Sequence, residues 1–129
     1  MIAVDTNVLV RLLTNDDPEQ ARRAAHLVDH HPILVPKTIL LETEWVLRYA
    51  YELDRHTINK ALSRLLGLPN VSVESPSDVA QALSWHEYGF DFADALHLTG
   101  SSGVQQFATF DRALVRRAGR LKMMTIIEI

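Results

Sequence analysis

The chain of 129 residues contains no cysteine. Disulfides, thiolate zinc sites and cysteine nucleophiles are excluded, and the composition fits a reducing cytoplasm. Long apolar runs are missing as well, and none approaches the ~20 residues that span a bilayer. No basic segment precedes Ile2-Ala3-Val4, so a secretory leader is not expected. The chain has no Gly-x-x-x-x-Gly-Lys phosphate loop and no nucleophilic serine motif. An excess of positive charge is also absent, since the formal net charge is −3. That argues against a generic nucleic-acid coat, whose affinity comes from many Lys and Arg contacts to phosphate.

What is present reads as one α/β domain over residues 1–129. Apolar residues make up 47% of the chain, enough for a real core. Short apolar runs at 2–4, 33–36, 71–73, 107–109 and 124–127 read as strands, and amphipathic stretches between them as helices. Asp17 with Gln20, and Ser75 with Asp78, look like capping boxes, each with proline at the first helical position. Asp54 opens a helix that stops at Gly67, and another helix covers Arg112 to Ala118. This alternation predicts a central parallel sheet of about five strands with helices on both faces. Glu44, Arg48 and Glu52, at i, i+4 spacing, are expected on the solvent side. His86 is expected at the surface. His97, one turn from Asp94, reads by default as a satisfied core residue. His30-His31 reads as a loop.

Four acids stand out. Asp5 and Asp111 each follow a run that reads as a buried strand. Such strand ends adjoin the crevice where ligands collect in open α/β sheets, and neighbouring strands would aim both carboxylates at it. Asp94 sits three residues after Asp91 at a helix start. Helix capping alone accounts for Asp5 and Asp111, and favourable placement near a helix dipole accounts for Asp94. Glu42 has no such excuse. It lies more than a turn inside a helix, with Thr38, Ile39, Trp45 and Val46 around it and no basic partner. Clustered carboxylates stay ionised only when a cation joins them, and oxygen ligands at an open site suit Mg²⁺ or Mn²⁺. Setting these four aside leaves the rest of the chain at about +1. Arg112, Arg116, Arg117, Arg120 and Lys122 crowd the last fifth, either as a solvated face or as a phosphate-contacting rim beside Asp111.

The stretches Val4-Asp5-Thr6-Asn7 with Val8-Leu9-Val10-Arg11, Leu41-Glu42-Thr43-Glu44-Trp45-Val46-Leu47, Asp91-Phe92-Ala93-Asp94-Ala95-Leu96-His97 and Ala108-Thr109-Phe110-Asp111 together resemble a PIN domain. More narrowly they resemble the VapC toxins of type II toxin–antitoxin pairs, over essentially the whole length. The resemblance implies a Mg²⁺- or Mn²⁺-dependent endoribonuclease, held inactive by a cognate antitoxin and usually a homodimer. It places Asp5, Glu42, Asp94 and Asp111 in the acidic quartet that holds metal and carries catalysis. Thr6 or Asn7, and Thr109, match residues that orient the acids, and Asp91 is ambiguous between cap and site. Arg112, Arg116 and His97 are candidate RNA contacts. Leu9, Leu12, Leu13, Trp45, Leu47 and Tyr51 are candidates for a groove accepting an antitoxin helix, if they do not simply pack inside. Two other readings stay open. One is an aspartyl-phosphate phosphatase or dehalogenase using Asp5, weakened by Asn7 where a second acid belongs. The other is a PIN-like module that grips RNA or antitoxin without cutting.

Overall fold

In the computed structural model, residues 1–121 and 124–129 are described. Among them the order is β1 (Ile2–Ala3), α1 (Thr6–Thr14), α2 (Pro18–His30), β2 (Ile33–Val35), α3 (Lys37–Tyr49), α4 (Arg55–Leu66), β3 (Val71–Val73), α5 (Pro76–Glu87), α6 (Phe92–Gly100), β4 (Gln106–Thr109), α7 (Arg112–Ala118) and β5 (Thr125–Glu128). Local chemistry sets most boundaries. Asn15 ends α1 in the left-handed conformation that asparagine tolerates. Asp17 accepts from the Gln20 amide, with Pro18 starting α2. Asp54 caps α4 through the Thr57 amide at 2.8 Å. Ser75 departs from expectation. It takes a left-handed conformation, φ 48°, and its hydroxyl makes no capping bond.

Among the described residues all strand pairing is parallel, and the strands form two sheets rather than one continuous sheet of about five. β1, β2 and β3 make one sheet in that order, with Ile2 opposite Ile33 and Ile33 opposite Val71. β4 pairs with β5 in a separate ladder, Gln106 opposite Thr125 through Thr109 opposite Glu128. The reason lies in β1, whose two residues are both exposed and hydrogen-bond only toward β2 among the described residues. So short a strand offers little edge for a further ladder. β4 alternates between exposed and half-buried residues, so it is not the buried strand expected before Asp111.

The core sits where helices meet the three-stranded sheet. Ile33 and Val35 of β2 pack with Leu9, Leu40, Leu47, Ile58, Leu62, Phe92 and Leu98, all nearly inaccessible. α3 is the hub, packing against α1, α4 and α6. Its face toward the core repeats Leu40, Thr43, Glu44 and Leu47, and its open face repeats Thr38, Glu42, Trp45 and Tyr49. No helix among the described residues is long and apolar enough to cross a membrane.

Candidate functional site

Thr6 links the first two acids at the start of α1. Val4 is buried, so the chain leaves β1 anchored, and Asp5 becomes the N-cap of α1. Its Oδ1 accepts from the Thr6 amide at 2.6 Å. Thr6 is itself buried, and its hydroxyl donates to Glu42 Oε1 across the α1–α3 contact. The bond explains how a carboxylate in mid-helix is satisfied. Glu42 lies on the exposed face of α3, not the apolar face suggested by its neighbours, and Thr6 is its partner. Asn7 is also exposed, in the groove between α1 and α2 beside Arg11 and Arg23.

The second group gathers at the start of α6. Asp91 caps that helix, accepting from the Asp94 amide at 3.1 Å. Asp94 projects from the first turn, half-buried. Burial chiefly, then the charges of Asp91 and Asp111, hold its carboxyl above the usual carboxylate range, against the weaker opposing influence of His97 and Arg117. Asp111 therefore lies close enough to press on Asp94, although they belong to different helices. Asp111 caps α7, its Oδ1 accepting from Ala113 at 2.9 Å and Leu114 at 3.1 Å. The Thr109 hydroxyl accepts from the Asp111 amide at 3.0 Å and fixes the turn that presents it. Capping and a place beside the other acids thus coexist at Asp5, Asp91 and Asp111.

The four acids stand in two groups, Asp5 with Glu42 and Asp94 with Asp111, and α3 packs against α1 and α6. Asp5 and Asp111 do not follow strands of one sheet, so the strand-edge argument for their convergence fails. Among the described residues no three acidic or histidine side chains stand within reach of one ion. The donor chemistry nonetheless fits a hard divalent cation. Every donor is a carboxylate oxygen, and Asp94 feels repulsion from Asp91 and Asp111 that His97 and Arg117 offset only in part and such a cation would oppose.

The basic residues sort by partner. Arg112 donates to Glu128 at 2.8 Å and is tied to the end of β5. Arg117 donates to the Gly89 carbonyl at 2.8 Å. Arg116 on α7 and Arg120 just beyond its end are exposed, and Lys122 lies outside the described residues. His97 is exposed rather than packed in the core, which suits it to contact a substrate. The apolar set proposed for a partner groove mostly packs inside. Leu9 and Leu47 are fully buried, and Leu12, Leu13 and Tyr51 pack against the core. Of that set Trp45 alone is open, at 54% exposure.

Two readings of polar residues are reversed. Glu44 is 1% exposed, not on the solvent side. It pairs with Arg48 Nε at 3.0 Å, and burial outweighs that cation in pushing its carboxyl upward. His86 is 3% exposed, and burial lowers its pKa to about 4, with the Arg55 charge adding to the shift. Its Nδ1 accepts from Asn59 Nδ2 at 3.0 Å, while the same amide donates to the Leu83 carbonyl at 2.7 Å. Sequence reasoning misses this interior polar cluster of Glu44, Arg48, Asn59 and His86. A signal for it exists, because Leu40, Glu44 and Leu47 share one helical face.

No match is found among curated proteins. A family model for the PIN domain matches residues 2–120. The chain therefore belongs to the PIN domain family, whose members are in general metal-dependent nucleases.

Proposed function

We propose that the protein is a toxin-type endoribonuclease that hydrolyses RNA phosphodiester bonds with Mg²⁺ or Mn²⁺. The cation would be held by Asp5, Glu42, Asp94 and Asp111. The observation that carries this reading is Asp94, half-buried in the first turn of α6, whose carboxyl feels the charges of Asp91 and of Asp111 at the start of α7. Such repulsion opposes ionisation of the empty protein and favours a bound cation. When bound, the cation supplies charge neutralisation at phosphate and a more acidic water.

The chain's own residues have separate tasks. Thr6 holds Glu42 in place through its hydroxyl. Thr109 sets the backbone that presents Asp111, and Asp91 fixes the first turn that presents Asp94. Hydrolysis requires a water oxygen to form a bond to phosphorus, the bridging P–O bond to break, and a proton to leave the water. One of the four carboxylates takes that proton. Exposed His97 and Arg116 would touch phosphates of the strand. Arg112, bonded to Glu128 through Nε, would reach them with its outer nitrogens.

Control by a cognate antitoxin, a homodimeric state and a cytoplasmic setting accompany this reading, supported by the likeness to VapC toxins. One domain spanning 1–129 is also part of it. The test is cleavage of total RNA and transfer RNA by purified protein, with mapping of the cut sites. Discrete cuts that require Mg²⁺ or Mn²⁺ and stop on addition of the antitoxin support the proposal. Intact RNA at every metal concentration would leave a non-cleaving binding module as the better account.

A further inference from the structure

Glu44 and Arg48 present a puzzle that stability does not solve. A carboxylate at 2% side-chain exposure pairs with a guanidinium at 38%, so one charge is buried and the other partly open. Taking such charges from water costs several kcal/mol per ion, and well-packed apolar residues often serve stability equally well. The pairing is also imperfect. Arg48 Nη2 donates to Glu44 Oε1 at 3.2 Å, but Nε, although 3.0 Å from Oε2, is buried without an aligned acceptor. A pair that stabilises so poorly is best attested where it sets register between elements.

The third member shows which elements. Arg48 Nη2 also lies 3.7 Å from Asp91 Oδ2. Asp91 uses its other oxygen to cap α6 through the Asp94 amide. One guanidinium thus connects α3, which carries Glu42, to the first turn of α6, which carries Asp94. The connector before Asp91 is held from a second side. Arg55 Nη1 donates to the carbonyls of His86 and Phe90, the first at 2.9 Å. These groups line one small cavity with Ile58 and Phe92. Lysine would reproduce the link only in part, because Nη2 lies near both carboxylates while Nε lies 3.0 Å from the second oxygen of Glu44, and an ammonium has no second nitrogen to place there.

We propose that Arg48, seated on Glu44 and reaching Asp91, is a positioning residue. It sets the spacing between the helices that present Glu42 and Asp94. The proposal rests on the reading of those two acids as cation ligands.

The test uses a double substitution, Glu44→Leu with Arg48→Met, which replaces the ion pair by apolar groups of similar size. Two measurements separate the claims. The first is hydrogen exchange at the Asp94 amide in metal-free protein, since that amide is bonded to the Asp91 side chain. The second is Mn²⁺ affinity by electron paramagnetic resonance. The bridge predicts loss of Asp94 protection while the interior of α3 stays protected. It also predicts Mn²⁺ affinity lower by about 10-fold or more, as outer-shell partners of metal ligands typically give. Should the double variant fail to fold, Arg48→Lys is read in the same way, with a smaller expected loss. A merely structural role would lower protection uniformly and leave the affinity of folded molecules unchanged, and that result overturns the proposal. Lost Asp94 protection in a protein whose wild type binds no Mn²⁺ would keep the bridge and reject the nuclease reading instead.

Discussion

Glu42 and Glu44 sit two residues apart on α3 and should respond oppositely to substitution. Glu44 has 2% side-chain exposure against an Arg48 that is 38% open. Removing one partner of a fully buried pair costs about 3–5 kcal/mol, because the other charge is stranded. Arg48 can rehydrate in part and keeps Asp91 at 3.7 Å, so roughly half of that applies. Loss of the packed methylenes adds about 1 kcal/mol. Glu44→Ala should therefore destabilise by about 2.5–3.5 kcal/mol. At this chain length that corresponds to a melting midpoint lower by about 8–14 °C. Glu42 is exposed, and its replacement by glutamine would keep an oxygen for the Thr6 hydroxyl. Glu42→Gln should change stability by no more than about 0.5 kcal/mol. It should nevertheless remove most cleavage. The assay is thermal melting by circular dichroism in metal-free buffer, paired with RNA cleavage well below both midpoints. A midpoint for Glu44→Ala within about 1 °C of wild type would refute the burial argument. Equal destabilisation by the two changes would refute the assigned orientation of α3.

Three further outcomes follow from single groups. His86 is buried neutral with a folded pKa of about 4 against 6.5 in the unfolded chain. Its depressed pKa gives stability that is full above pH 6.5 and is lost as pH falls toward 4, up to about 3 kcal/mol in all. Chemical denaturation across that range should be flatter for His86→Gln than for wild type, and parallel curves would count against the buried imidazole. Asp94→Asn removes a carboxylate pressed by Asp91 and Asp111, so the metal-free variant should melt no lower than wild type at pH 7. A marked drop would instead assign Asp94 a structural role. Gly89 has φ +114°, where a side chain is strained, so Gly89→Ala should cost about 1–2 kcal/mol in denaturant titration despite open space around the Cβ. No loss would mean that the turn can relax.

The sequence makes the elements legible because their ends carry local chemistry. Asp17-Pro18, Asp54 and Gly67, and Asp111 with Gly119 mark boundaries that depend only on adjacent residues. The four acids are legible for a similar reason, since each follows a strand or begins a helix except Glu42. Facing is harder to read. The i, i+4 match of Glu44 with Arg48 suggests a surface pair, yet the spacing from Leu40 through Glu44 to Leu47 turns Glu44 inward. Charge complementarity tells which residues can pair, whereas the apolar phase of the helix tells on which side. Sheet continuity is not legible at all. It depends on whether two residues of β1 offer a second edge to β4, which is a matter of tertiary placement. His86 escapes in the same way, because its partner Asn59 lies 27 residues away on another helix and only packing unites them.

The central claim is that acids presented by α1, α3, α6 and α7 serve divalent-cation binding. The most direct measurement is Mn²⁺ binding to purified protein by electron paramagnetic resonance, for wild type and for Asp5→Asn, Glu42→Gln, Asp94→Asn and Asp111→Asn. The account predicts saturable binding by wild type and about 10-fold or greater loss of affinity in each variant. Binding that survives all four substitutions unchanged would contradict it.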